Sequence, residues 1–342
     1  MPTNCEETTD WYGPYWEDLV DSYECPPAPP MAIVTDTINL YPNWNLISFD
    51  VSMQNAAPED VFADLIADNN LVYVTGYDEG SSYYDPANDI WWSTLTQIRD
   101  GFGYWVKTAP GVSDTVSGTG TPLTLMNQTF DFKPGWNQIA YWPSVSMTPE
   151  VAFQELINQD LVIWVTGFTW PAGAHFFEPG GILNTLGILE NGYGYWVKMT
   201  DSFDGFQYPV SGRSSSHRKE MIQLTINSDI KITNTYMFIN GTVSCMGFEC
   251  KNGTKVDVLT DTGLLVGELL ITKNGLLQTG AIYGDDPITE NIDGAQMGQS
   301  LKFVYNDITA QSKEILFNGN MEVKKIKLQF DSNQQSQVKL IS

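Results

Sequence analysis

Gly101-Phe102-Gly103-Tyr104-Trp105-Val106-Lys107 returns almost letter for letter as Gly192-Tyr193-Gly194-Tyr195-Trp196-Val197-Lys198, and this repetition decides the architecture. Working backwards at a spacing of 91, Gly76 meets Gly167, Phe62 meets Phe153 and Pro58 meets Pro149. One residue of slippage then brings Trp44-Asn45 onto Trp136-Asn137. Two copies of one small domain stand in tandem. Each reads Pro-x-Trp-Asn, a hydrophobic strand, a short proline-opened helix, Val-Thr-Gly, an aromatic-rich turn and the closing Gly-x-Gly-Tyr-Trp-Val-Lys strand.

The first copy is expected over residues 32–118 and the second over 123–212, both closing on Val-Ser-Gly. In the second, Thr148 is a good N-cap, Pro149 suits the first helical position and Glu150 favours the positive helix end. A helix of about ten residues should follow, with Val151, Phe153, Leu156 and Ile157 as its apolar face, matched by Val61, Phe62, Leu65 and Ile66. The β-branched runs Leu71–Thr75 and Val162–Thr166 read as strands stopped by glycine. Leu95 and Ile98, like Leu186 and Leu189, suggest one further helical turn. The tryptophans of both signature motifs are expected in the core of their own repeat.

Around these copies the texture changes. Residues 1–31 form an arm that combines acids with Trp11, Tyr12, Tyr15, Trp16 and Tyr23 and runs into Pro26-Pro27-Ala28-Pro29-Pro30, a stiff spacer. Five large rings within 13 residues suit docking into a partner's groove. Beyond a linker at 213–219, residues 220–330 read as short strands at sandwich spacing, with a tail at 331–342. The expected strands are Met221–Ile226, Tyr236–Val243, Lys255–Thr260, Leu264–Thr272, Leu276–Tyr283, Leu301–Tyr305, Ile315–Phe317 and Val323–Phe330. The fold class expected is therefore multi-domain and β-rich: two tandem small α+β repeats followed by an immunoglobulin-like β-sandwich.

The 342 residues suit about three domains of roughly 100 residues. Seventeen basic against 41 acidic residues give a net charge of -24, which argues against nucleic acid or an anionic membrane surface as partner. The first basic residue is Arg99, so no secretory leader is expected, and no apolar run reaches the roughly 18 residues of a membrane span. Cys5, Cys25, Cys245 and Cys250 match no zinc spacing, and cytoplasmic synthesis favours free thiols over a disulfide within either pair.

The Trp-Asn-Leu-Ile-Ser-Phe opening at Trp44–Phe49 and the Gly-Tyr-Trp-Val-Lys ending resemble a repeat of large surface proteins, adhesins and phage or prophage structural proteins of aquatic bacteria. Tyr283-Gly284-Asp285-Asp286-Pro287, with Asp293-Gly294-Ala295 and the strand Gly298–Phe303, is similar to an Ig-like module that often accompanies those repeats. The resemblance implies display or adhesion rather than catalysis. It suits a virion protein made in the host cytoplasm and carried on the virion surface, docked through its arm to capsid, neck or tail proteins, with a bacterial cell-surface adhesin as the alternative and a carbohydrate- or calcium-binding accessory module as a third reading. A homo-oligomer and contact with a host glycan or protein are expected; membrane insertion is not.

Chemistry is sparse. Two histidines, His175 and His217, leave little for a Ser-His-Asp triad or a histidine-rich metal site. No cofactor is expected. Asp285, Asp286, Glu290 and Asp293 offer calcium its preferred oxygen ligands in one loop, but their spacing is not that of an EF-hand, and the favoured reading is that the aspartates only make turn hydrogen bonds. Candidate surface-recognition residues are Tyr84, Trp91 and Trp92 (with Tyr83) in the first copy and Trp170, His175 and Phe177 (with Phe176) in the second. The competing role for each ring is to cover the core or the seam between copies.

Overall fold

The computed structural model describes residues 32–77, 80–85, 90–210 and 226–332, with 80–85, 90 and 91 described by backbone alone. The arm at 1–31, the linker and the end of the tail lie outside the described residues, as does the expected strand Met221–Ile226 apart from Ile226. Among the described residues strand dominates, and α-helix is confined to four short pieces.

In the first copy β1 (Val34–Leu40), β2 (Trp44–Ile47) and β3 (Val51–Met53) precede α1 (Pro58–Val61) and α2 (Ala63–Ala67). Then come β4 (Leu71–Gly76), β5 (Gly80–Asp85), β6 (Ile90–Ser93), β7 (Tyr104–Thr108) and β8 (Asp114–Pro122). The second copy holds β9 (Phe130–Phe132), β10 (Gly135–Ala140), α3 (Pro149–Ala152), α4 (Gln154–Asn158), β11 (Val162–Thr169), β12 (Gly173–Phe177), β13 (Gly194–Met199) and β14 (Phe203–Phe206). Their main antiparallel sheets run β2-β7-β4-β5-β6 and β10-β13-β11-β12, the same order strand for strand as far as the second sheet extends. A smaller sheet, β1-β8-β3 in one copy and β14-β9 in the other, flanks each.

The expected ten-residue helix is broken into two short pieces in both copies. The break falls at Phe62 (φ -103°, ψ 17°) and Phe153 (φ -111°, ψ 21°), both fully buried, so the backbone leaves helical geometry where the ring enters the core. Thr148 caps as expected, its hydroxyl accepting from the Val151 amide. The expected helical turn at Leu95–Ile98 and Leu186–Leu189 is absent. Those segments are irregular and give their backbone bonds to the chain before the helices, Ile98 N to Ala56 O and Leu189 N to Met147 O, while their side chains stay in the core.

The copies are joined by backbone pairing, the opening strand of each meeting the start of the other's closing motif. The Ser48 amide donates to Gly192 O at 3.1 Å, and the Ala140 amide to Gly101 O at 2.9 Å. Isolated bridges join Ile47 to Tyr193 and Phe102 to Ile139. Each contact has its mirror in the other copy, the reciprocity of an isologous two-fold pairing. The glycines of the closing motif make this approach possible: a Cβ on Gly103 would sit 3.2 Å from Gly194 Cα, and one on Gly194 would sit 2.9 Å from Ile47 O.

The third region holds β15 (Tyr236–Met246), β16 (Lys255–Thr260), β17 (Leu265–Thr272), β18 (Leu276–Tyr283), β19 (Ser300–Tyr305), β20 (Ile308–Thr309), β21 (Ile315–Leu316) and β22 (Asn320–Asp331). Alternating burial places Val256, Val258, Leu269, Ile271, Phe303, Leu328 and Phe330 in one core. The strands form one continuous curled sheet, a half-barrel ordered β20-β19-β16-β17-β18-β15-β22 with β21 on β19. At one end β22 adds to β15 in a long parallel pairing, the other ladders being antiparallel. The described residues from Ile33 onward group into one compact unit.

Candidate functional site

The closing motif can be read residue by residue from the pleat. Successive strand side chains point to opposite faces, so Tyr104 and Val106 enter the first copy's core while Trp105 and Lys107 project from the other face. Tyr195 and Val197 likewise enter the second core, with Trp196 opposite. The Tyr104 hydroxyl accepts from the Arg99 amide at 2.7 Å, and the Tyr195 hydroxyl from the Glu190 amide at 2.8 Å. The asparagine after each opening tryptophan braces the turn before it. Asn45 Oδ1 accepts from the Tyr41 amide and its Nδ2 donates to Tyr41 O, and Asn137 makes the same pair of bonds to Lys133.

The tryptophans are therefore not in the core of their own repeat, contrary to expectation. Trp44, Trp105 and Trp196 join Phe168, Phe176, Tyr236, Phe238 and Tyr283 in a fourth cluster, shared by both copies and the third region. The alternation of the strands shows two apolar faces, and the second face is covered by the half-barrel. Trp44 and Trp105 meet edge to face with centroids 6.0 Å apart, and Phe176 lies 5.1 Å from Phe238.

Both signature lysines cross this seam. Lys107 Nζ lies 2.7 Å from Asp286 Oδ2, with each side chain 5% exposed, and Trp44 Nε1 donates to the same oxygen at 2.8 Å. Lys198 Nζ reaches Glu322 Oε1 at 3.1 Å in a wetter setting, 19% and 36% exposed, and lies 4.7 Å from the Trp164 ring centroid and 5.4 Å from that of Trp136. The hydrogen bond from Lys198 holds the Glu322 carboxyl below its usual range. The Ala174 amide donates to the Tyr283 hydroxyl at 2.9 Å, and a Cβ on Gly173, whose φ is +74°, would collide with that hydroxyl.

The acidic loop is thus a clasp. Asp286 is committed to Lys107, Trp44 and, through Oδ1, the Ile288 amide. Asp285 Oδ1 accepts from the Asp293 amide and Asp293 Oδ1 from the Asp286 amide, while Glu290 is exposed. The glycines let the loop close on itself: Asp285 N donates to Ala295 O, and a Cβ on Gly294 would strike Gly284 O. The calcium expectation is corrected accordingly, since the carboxylates point at backbone amides and a lysine, and among the described residues no three acidic, histidine or cysteine side chains converge on a metal position. The free-thiol expectation is also corrected for one pair: Cys245 and Cys250 form a disulfide at the end of β15. Cys5 and Cys25 lie outside the described residues.

The remaining candidates separate clearly. Trp11, Tyr12, Tyr15, Trp16 and Tyr23 lie outside the described residues, as do the side chains of Tyr83, Tyr84 and Trp91. Register places Tyr83 opposite Trp92 and Tyr84 opposite Trp91 across β5 and β6. Trp92 is 52% exposed. Phe176 and Phe177 are corrected as surface candidates: they are buried on the two faces of β12, Phe177 in the second copy's core and Phe176 in the shared seam. His175, just before them in sequence, bonds Thr169 Oγ1 through Nε2 at 2.8 Å. It lines a cavity of about 50 Å³ with Thr185, Lys255 and Glu268, and burial lowers its pKa to about 4.

Trp170 alone of these candidates lines the larger cleft, about 140 Å³, which opens where the two copies meet. Its other notable walls are Asp36, Tyr41, Asn191 and Tyr193, none of them singled out from sequence. Asp36 Oδ2 accepts from the Asp50 amide at 3.1 Å, and Asn191 Nδ2 donates to Asp50 Oδ2 at 3.0 Å. Burial, reinforced by the Asp50 carboxylate, pushes Asp36 up to about 6. The missed signal lay in the duplication. At the spacings that align the copies, Gln128, Lys133, Asp100 and Phe102 occupy the positions of Asp36, Tyr41, Asn191 and Tyr193. In comparisons with known proteins, no family model, curated protein or solved structure matches the chain.

Proposed function

We propose that this chain is a non-enzymatic structural protein of a bacteriophage particle, of the head fibre, decoration or tail fibre type, attached through its N-terminal arm. In this reading residues 32–118 and 123–212 are two α+β repeats, and the half-barrel is the Ig-like module that follows them. The observation that carries the reading is the seam. The tryptophans, the lysines and the Tyr-Gly-Asp-Asp-Pro loop, the most distinctive residues of the chain, are occupied in fastening the copies to the half-barrel. Residues spent this way serve rigidity, and a rigid body behind an aromatic arm and a proline spacer suits display on a particle. The repeats then act as a base for the third region rather than as a string of spacers.

Peptide mass spectrometry on density-banded particles beside the host envelope fraction tests this. The N-terminal acidic peptide should band with particles at a copy number comparable with capsid or tail proteins. Removal of residues 1–31 should abolish attachment and leave the melting of the remaining body unchanged. Recovery in the envelope alone would overturn the reading. The Cys245–Cys250 disulfide gives specific support to the alternative, a cell-surface adhesin, because such bonds persist in oxidising surroundings.

A further inference from the structure

The cleft between the two copies has a built-in control, because the duplication supplies the same fold position twice. In the second copy's version the space is filled: a Cβ added to Gly101 would lie 2.5 Å from Gln128 Nε2. In the first copy's version it is open, and a Cβ added to Gly192 would find only Ile38 Cγ1 within reach, at 4.0 Å. The fold is satisfied with glutamine, lysine and phenylalanine at these positions, so Asp36, Tyr41 and Tyr193 are not what the architecture itself demands.

We propose that this cleft binds a neutral saccharide ring. A sugar presents a C–H face that packs on flat aromatic surface and an edge of hydroxyls that both donate and accept. The cleft supplies both kinds of wall. Trp170, Tyr41 and Tyr193 provide rings, and Asp36 with Asn191 provides planar polar groups held by their bonds to Asp50. Its volume of about 140 Å³ suits a single ring. No lysine or arginine lines it, and the paired carboxyls of Asp36 and Asp50 oppose an anionic ligand, which selects against uronic acids, sialic acids and phosphates. The inference stands whether a particle or a cell displays the protein, so it can fail independently of the virion reading.

The test is saturation-transfer NMR on the full-length protein with methyl glycosides of glucose, galactose, mannose and N-acetylglucosamine, and with methyl glucuronide as the acidic counterpart. Tryptophan fluorescence titration would supply the affinity. At least one neutral glycoside should bind, with a roughly millimolar Kd as expected for one ring in a partly open site. Trp170→Ala should weaken it at least about tenfold, a loss of about 1.4 kcal/mol. Asp36→Gln, which installs the residue that fills the counterpart, should abolish it, and Tyr193→Phe should weaken it with the fold intact. Met126→Ala, at an exposed site outside the cleft, should leave it unchanged. Absence of transfer to every neutral glycoside, equal binding of the glucuronide, or binding that survives both Trp170→Ala and Asp36→Gln would overturn the proposal.

Discussion

The two copies use one motif in two electrostatic settings. Lys107 of the first is sealed against Asp286 with a tryptophan N–H on the same oxygen, while Lys198 of the second reaches Glu322 at the edge of the seam, over two indole rings. The strand, the register and the neighbouring asparagine brace are alike, so the difference arises in what the half-barrel presents to each. A duplicated motif thus fixes where a lysine points, and the partner fixes what that lysine is worth.

The largest expected effect follows from that contrast. Lys107→Ala strands a buried carboxylate and should cost about 3–5 kcal/mol, read from the urea midpoint. If it costs no more than Lys198→Ala, the contrast is broken. Asn45→Ala and Asn137→Ala should each cost about 1–3 kcal/mol through unpaired turn amides, and should agree within about 0.5 kcal/mol because their networks match. A large inequality would mean that the two turns are not equivalent.

The copies also differ in the Asp36–Asp50 pair, for which the second copy has Gln128 and Trp142. Asp36 holds its proton more tightly when folded, so its contribution is full below its unfolded value of 3.8 and is lost as pH rises through about 6. Asp36→Asn should therefore stabilise the protein at pH 7.5 by about 1–2 kcal/mol relative to its effect near pH 4. A pH-independent difference would remove the carboxyl pair from the account. The smallest effect is that of Lys198→Ala, whose half-exposed ion pair contributes about 0–1 kcal/mol.

Much of the fold was legible because it rests on local signals. The duplication, the Pro-opened helices, and strands such as Lys255–Thr260 and Leu276–Tyr283 follow from repetition, capping and alternation, and the last two match to the residue. The helix breaks at Phe62 and Phe153 were not legible, since helical spacing gives no sign of a ring that must leave the cylinder to fill a core. The alternation Tyr-Trp-Val-Lys announced two buried faces without naming what covers the second, and this is why the tryptophans were assigned to the wrong core. Four oxygens in one loop looked like calcium ligands because sequence shows donor type but not direction, and Asp286 points at a lysine 179 residues earlier in the chain. The cleft escaped because its walls come from both copies, and only the mismatches between them, Asp36 for Gln128 and Tyr193 for Phe102, marked it.

The signature residues fasten both copies and the half-barrel into one body. Scanning calorimetry of the full chain tests it most directly. A single cooperative transition with equal calorimetric and van't Hoff enthalpies is predicted, splitting or broadening in Lys107→Ala. Two or three resolved transitions in the unaltered protein would contradict it.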